Sequence, residues 1–269
     1  MTKTGTDRIT AAFTQAHQTQ TAALMPYFTL GYPDAETSLE IIEAIATYSD
    51  LLELGVPFSD PLADGPTVQH STQVSLENGT TTAGCLEIVR KLRQRGVQTP
   101  IMLMGYVNPI LAYGEAEYVH DAVEAGVDGF IVPDLPPEEA ESLDSKTAEA
   151  GLALIPFLAP TSNARRIDLV TAQARGFIYL VSVTGVTGAR SQVRTDLAGF
   201  VNQVRRKTAV PLAVGFGISN PAQAAEVGQV ADGVIVGSAL INATNAVEAN
   251  KAEAAVRFVK SLREGLSKN

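Results

Sequence analysis

Tryptophan is absent from the chain, cysteine occurs once and histidine three times. The single cysteine, Cys85, rules out an intramolecular disulfide framework. It sits in TTAGCLEIVRKL, an amphipathic helical pattern, so a buried structural thiol is expected. His17, His70 and His120 have no histidine or cysteine at i+3 or i+4, so no metal is implied. Basic residues are in the minority: 20 Lys and Arg stand against 29 Asp and Glu, a net charge of −9. No basic stripe is left to bind a phosphodiester backbone, and a nucleic-acid partner is excluded. No apolar run approaches the roughly 18 residues of a membrane span. The N-terminal MTKTGTDRITAAFTQAH lacks the apolar stretch and small-residue cleavage site of a secretory signal. A soluble, cytoplasmic protein is expected. Gly/Ser-rich linkers and low-complexity segments are also missing, so residues 1–269 are read as one domain.

What the chain does have is alternation. Eight short apolar runs recur: LMPYFTL (24–30), DLLELG (50–55), PIMLMGY (100–106), VDGFIVPD (127–134), LALIPF (152–157), GFIYLVSV (176–183), VPLAVGFG (210–217) and ADGVIVGS (231–238). They are too short for helices and mostly lack period-2 alternation, as strands buried on both faces of a parallel sheet do. Helical patterns lie between them. ETSLEIIEAIATY (36–48) has an apolar stripe. EAEYVHDAVEAG (115–126) and PPEEAESLDSKTAEAG (136–151) end at glycines, and the second opens on prolines and acids. SNPAQAAEVG (219–228) has an N-cap residue followed by Pro221, and 246–266 places Ala255, Phe258, Val259, Leu262 and Leu266 on one face. Eight such strand-helix units in this length predict a (β/α)8 TIM barrel with an extra N-terminal helix; a doubly wound open sheet is the alternative. The longest connections follow the second strand (56–80) and the sixth (184–195). In a barrel, loops after strands build the active site.

The first of these connections begins ELGVPFSDPLADGP (53–66), with three carboxylates among prolines and glycines. Alternation in DLLELG sends Leu52 and Leu54 one way and Glu53 the other. With the leucines toward the helices, Glu53 points into the barrel mouth. A carboxyl group desolvated there has a raised pKa, suited to a general acid near neutral pH. The bland alternative is a core glutamate satisfied by neighbouring strands. Asp60 and Asp64 lie in turn sequences and need no function to explain them. Asp64 gains weight by pairing with Glu53, since two carboxylates in different environments divide acid and base work. Toward the C-terminus, TGVTGAR (184–190), GFGIS (215–219) and GSAL (237–240) put glycines at strand ends, and the last two open helices whose N–H groups attract anions. A phosphate cradle is expected there. Residues 184–195, with two glycines and two arginines, read as a lid. No dinucleotide fingerprint follows the first strand, so no nicotinamide cofactor is implied.

The segments PYFTLGYPD (26–34), ELGVPFSDPLADGPTVQ (53–69), MGYVNPI (104–110), VPDLP (132–136), VSVTGVTGAR (181–190), VGFGIS (214–219) and VGSAL (236–240) together resemble the tryptophan synthase α subunit family, over essentially the whole chain. The resemblance implies a lyase of tryptophan biosynthesis that cleaves indole-3-glycerol phosphate by retro-aldol chemistry to indole and glyceraldehyde 3-phosphate. It implies Glu53 as general acid/base and Asp64 as the group that holds the indole N–H. It implies substrate contacts at Tyr27, Tyr106, Thr187, Gly188, Phe216, Gly217, Gly237 and Ser238, with Thr187 meeting Asp64 when the lid closes. Pro57, Asp60, Pro61 and Asn108 would face a β subunit in an α2β2 tetramer. No cofactor or metal is implied in this chain; pyridoxal phosphate would belong to the β partner, which receives the indole. A free-standing indole-releasing lyase, or a partner-activating barrel with weak catalysis, are the competing readings. One departure is Tyr48-Ser49, where the family carries a glycine-containing helix end one residue longer.

Overall fold

The computed structural model describes residues 3–181, 190–215 and 217–267. Its strands are β1 (Ala23–Thr29), β2 (Leu52–Gly55), β3 (Ile101–Met104), β4 (Gly129–Ile131), β5 (Ala153–Ile155), β6 (Phe157–Leu158), β7 (Ile178–Val181), β8 (Leu212–Gly215) and β9 (Gly233–Val236). They form one parallel sheet in the order β5-β4-β3-β2-β1-β9-β8-β7-β6. The two ends of that order are pieces of one strand interrupted by Pro156. The proline has no N–H for the ladder, but its carbonyl still accepts from Tyr179 N at 3.0 Å. Eight strand positions therefore go round the barrel, and all eight predicted apolar runs are strands. The sheet is parallel, as expected, and nearly every strand residue is buried on both faces.

Helices α1 (Gly5–Gln18), α2 (Ala35–Ala46), α3 (Pro66–Glu77), α4 (Thr82–Gln94), α5 (Val107–Tyr113), α6 (Glu115–Ala125), α7 (Glu141–Glu149), α8 (Ala164–Gln173), α9 (Arg190–Arg205), α10 (Pro221–Gly228), α11 (Ser238–Asn245) and α12 (Lys251–Leu266) surround it. The extra N-terminal helix is α1, opened by a reciprocal Thr4/Asp7 capping box. It closes the end of the barrel where the strands begin. Gly5 approaches so closely that a Cβ would lie 2.4 Å from the Asp128 carbonyl oxygen. Asp128, 2% exposed, ties this end together. It accepts from Arg93 Nη2 at 2.7 Å and from Ile101 N at 2.7 Å, and pairs with Arg8 Nε at 3.2 Å.

Four expectations need correction. Residues 56–80 are not all loop, because α3 occupies their second half. Its buried face is Val68, Ser71, Thr72 and Ser75, small and mostly polar, so hydrophobic periodicity does not reveal it. The helix expected from Pro136 starts at Glu141. Residues 137–139 form a turn, because only one of two adjacent prolines can take the first helical position. The helix expected over 246–266 starts at Lys251, after Asn250 at φ 58° ends the preceding turn. The last part of the expected lid, from Arg190, belongs to α9, while residues 184–189 lie outside the described residues. The Tyr48-Ser49 departure is accommodated locally. Ser49 Oγ donates to Ile45 O at 2.8 Å, Arg263 Nη2 donates to Tyr48 O at 3.2 Å, and Lys260 Nζ sits 4.6 Å above the Tyr48 ring.

Candidate active site

Glu53 is the second of the four residues of β2, in register with Tyr27 of β1 and Met102 of β3. Its neighbours Leu52 and Leu54 are fully buried, and Glu53 itself is 1% exposed. Its Oε2 has no hydrogen-bond partner among the described residues. A carboxylate would be stranded there without donors. Desolvation, reinforced by the charge of Asp64, pushes the pKa of Glu53 up to about 8. The group is held as a neutral acid at neutral pH.

Asp64 reaches the same cavity from the loop between β2 and α3. A turn places it: Asp64 N donates to Pro61 O at 3.0 Å, and Gln69 Nε2 donates to Asp64 O at 2.9 Å. Tyr106, at the end of β3, pins the loop twice. Its hydroxyl donates to Asp64 Oδ2 at 2.8 Å and accepts from Ala63 N at 3.0 Å. Burial raises the Asp64 pKa, and the Tyr106 hydrogen bond opposes that rise. The two acids thus differ: Asp64 has a donor for its charged form, and Glu53 Oε2 has none among the described residues.

The cavity between them holds about 270 Å³. Its floor includes Tyr27, Met104, Tyr179 and Ile235; its rim includes Gly217, Ser219, Gly237, Ser238 and Asn242. The Tyr27 ring spans it. One end lies against Gly237, where a Cβ would be 3.3 Å away, and the hydroxyl lies over Gly55, where a Cβ would be 2.1 Å away. That hydroxyl is 3.3 Å from Thr29 Oγ1, itself 2.7 Å from Ser71 Oγ of α3. A larger hollow of about 520 Å³ lies between α7 and α8. Its ionisable side chains, Glu138, Glu141, Asp144 and Arg165, all reach solvent, whereas Glu53 in the barrel mouth does not.

The rim separates the two expected anion-binding helices. At the entrance to α10 two N–H groups are already engaged: Asn220 Oδ1 accepts from Gln223 N at 3.0 Å, and Gln223 Oε1 accepts from Ser219 N at 2.8 Å. At α11 the N-cap is Gly237, which offers no side-chain acceptor. No acceptor among the described residues takes the N–H groups of Ser238 and Ala239. The N-terminus of α11 is the open anion site. Gly217, at φ 79°, lines the cavity beside it.

Of the sequence-expected residues, Glu53, Asp64, Tyr27, Gly217, Gly237 and Ser238 line one cavity. Tyr106 lies behind Asp64, its ring tilted against Phe58 with centroids 5.4 Å apart, and reaches the site through its hydroxyl. Thr187, Gly188 and Phe216 lie outside the described residues. Asp60 and Asn108 are exposed and Pro61 is half-buried, but Pro57 is buried within the chain and offers no surface. Leu62, between them, is 93% exposed. Tyr179, Met104, Ile235 and Asn242 were missed. Tyr179 was hidden in an apolar strand; the one phenol within GFIYLVSV was the signal for it. Its ring stacks on Phe157 at 4.7 Å and its hydroxyl lies over Gly215. The three histidines are exposed, Cys85 is buried with its thiol pKa pushed up, and no group of three or more His, Cys, Asp or Glu among the described residues is placed to hold a metal. No helix is long and apolar enough to cross a membrane among the described residues.

A family profile described as "Tryptophan synthase alpha chain" matches residues 13–268. The chain is 51% identical over 237 residues to the tryptophan synthase alpha chain of Chloroflexus aggregans, covering 88% of this chain and 89% of that one. It is 50% identical over 263 residues to that of a Geobacter species, covering 97% and 98%. Among solved structures, the alpha subunit from Legionella pneumophila superposes with a TM-score of 0.90 at 35% identity, over 97% of this chain and 99% of that chain. A chain of tryptophan synthase from M. tuberculosis in its aminoacrylate-bound form gives 0.87 at 32% identity, over 96% and 99%. With a parallel barrel, two unlike carboxyl groups in its mouth and a free helix N-terminus at the rim, the chain belongs to the tryptophan synthase alpha chain family.

Proposed function

We propose that the chain cleaves indole-3-glycerol phosphate to indole and glyceraldehyde 3-phosphate, as the α subunit of a tryptophan synthase. The observation that carries this reading is Glu53, a buried carboxyl group with no hydrogen-bond partner for one oxygen among the described residues and a pKa pushed up to about 8, facing Asp64 across one cavity. Neutral Glu53 donates its proton to the indole ring carbon that bears the side chain. Asp64, held by Tyr106, accepts the indole N–H and stabilises the cation that protonation creates. The ring carbon–side chain bond then breaks. Its electron pair returns to the indole ring, and the glycerol hydroxyl loses its proton to the Glu53 carboxylate and becomes the aldehyde. Glu53 ends protonated, ready for the next turnover.

The substrate phosphate sits on the N-terminus of α11, at Gly237 and Ser238, with Gly217 beside it. Tyr27 and Tyr179 flank the ring. Thr187, Gly188 and Phe216 complete the pocket in this reading. Asp60, Pro61, Leu62 and Asn108 face a β subunit that carries pyridoxal phosphate and receives the indole, in an α2β2 assembly in the cytoplasm. The exposed Leu62 supports that surface, because burying it is favourable only against a partner. The test is the rate of glyceraldehyde 3-phosphate release by the chain alone and with a β subunit titrated in. A slow rate that rises steeply with partner is expected. A fast rate indifferent to the partner would instead identify a free-standing lyase, and no cleavage in either condition would sink the reading.

A further inference from the structure

We propose that Asn242 is an additional binding residue for the substrate's phosphate monoester, and that Thr67 is the positioning residue that aims it. The inference rests on the reaction assigned above and adds a donor to that site. Asn242 is four residues after Ser238 on α11, so the two side chains lie on one face of the helix, one above the other. Side chains on a helix lean toward its N-terminus. Asn242 therefore leans back toward the open N–H groups of Ser238 and Ala239, and it lines the same cavity.

Its amide is oriented. Thr67 Oγ1, in the first turn of α3, donates to Asn242 Oδ1 at 3.4 Å. In this contact it is the amide oxygen that faces α3. The oxygen is engaged, and the Nδ2 protons meet no acceptor among the described residues. Two N–H donors are thus left beside a helix N-terminus that already presents two backbone donors. A dianionic phosphate monoester is the ligand chemistry that satisfies all of them at once. Thr67 is also three residues beyond Asp64, whose carbonyl is held by Gln69 of the same helix. The Thr67–Asn242 contact thus joins the acid loop to the phosphate end of the cavity.

The test is calorimetric binding of glycerol 3-phosphate to the full chain, wild type and variants. Asn242→Asp keeps the shape, replaces two donors with a charge that repels the ligand, and should weaken binding about tenfold or more. Asn242→Ala should weaken it by a few-fold to tenfold. Thr67→Val should weaken it by a few-fold, and Thr67→Ser, which keeps the hydroxyl, should restore it. Asn242 is exposed, so these changes leave the core untouched, and unchanged thermal unfolding verifies that. Wild type and Asn242→Asp binding within twofold of each other would overturn the inference, as would a wild-type chain that does not bind glycerol 3-phosphate at millimolar concentration. Intact, Asn242-dependent binding in a chain that cleaves no indole-3-glycerol phosphate would sink the reaction assignment and leave this inference standing.

Discussion

Replacing Glu53 with Gln should abolish cleavage and stabilise the protein, by an amount that grows with pH. In the fold its pKa is about 8, against an ordinary value of 4.5. Between those two values the folded chain holds a proton that the unfolded chain has released. Stability therefore falls as pH rises, starting near pH 4.5 and levelling off above pH 8. The full loss is the gap between the two values times about 1.36 kcal/mol per pH unit, or about 5 kcal/mol; at pH 7 it is about 3 kcal/mol. Glutamine has the shape of the neutral acid and no proton to lose, so the variant lacks this slope. Its advantage over wild type should be constant below about pH 4.5, near 3 kcal/mol larger at pH 7 and near 5 kcal/mol larger past pH 8. Relief of Asp64 from a neighbouring charge adds in the same direction. Urea unfolding of both proteins from about pH 5 to about pH 9 measures the difference, with equal m-values as a control. Far-UV circular dichroism is the probe, because the chain has no tryptophan. A difference that stays flat across this range would refute the reasoning, since it would mean that Glu53 is not held neutral by the fold.

Tyr106→Phe removes the donor that stabilises charged Asp64, so the Asp64 pKa should rise and the acid limb of the kcat/KM profile should move to higher pH, with roughly a tenfold loss near neutrality; an unmoved acid limb would show that the hydrogen bond does not govern Asp64. Asp128→Ala leaves Arg93 and the Ile101 N–H without their partner and should cost about 3–5 kcal/mol in urea unfolding with little change in KM. Gly55→Ala puts a Cβ 2.1 Å from the Tyr27 hydroxyl, so the ring must move; kcat/KM should fall by about tenfold or more while the fold survives, as circular dichroism and steady-state kinetics together would show.

Much of this was legible in the chain because strand and helix alternate with their own periods. LMPYFTL and ADGVIVGS read as buried parallel strands, and alternation in DLLELG was enough to aim Glu53 inward. Cys85 read as a core thiol. What stayed hidden was set by tertiary contact. Helix α3 buries Ser71 and Ser75 where a periodicity argument needs apolar residues, because the Ser71 hydroxyl bonds to Thr29 and to the Val68 carbonyl and the Ser75 hydroxyl donates to Leu30 O. The difference between α10 and α11 was equally invisible, since both follow glycine-containing loops. Asn220 and Gln223 close the first, and only a glycine caps the second. Tyr179 and Asn242 entered the cavity through barrel register and helix phase, which short apolar runs do not specify.

The division of labour between the two acids follows from this geometry. Both carboxyl groups are desolvated, which by itself would push both pKa values upward and leave one proton shared between them. Tyr106 breaks the symmetry from outside the cavity. Its hydroxyl reaches Asp64 and not Glu53, so of the two it is the Asp64 anion that gains a donor. The charge then settled on Asp64 discourages ionisation of Glu53 a second time, beyond burial. A tyrosine at the end of β3 thus assigns the proton to β2. The prolines and glycines of PLADGP serve the same end, because a loop pinned to Tyr106 at both Ala63 and Asp64 cannot carry the anion away from the acid it polarises.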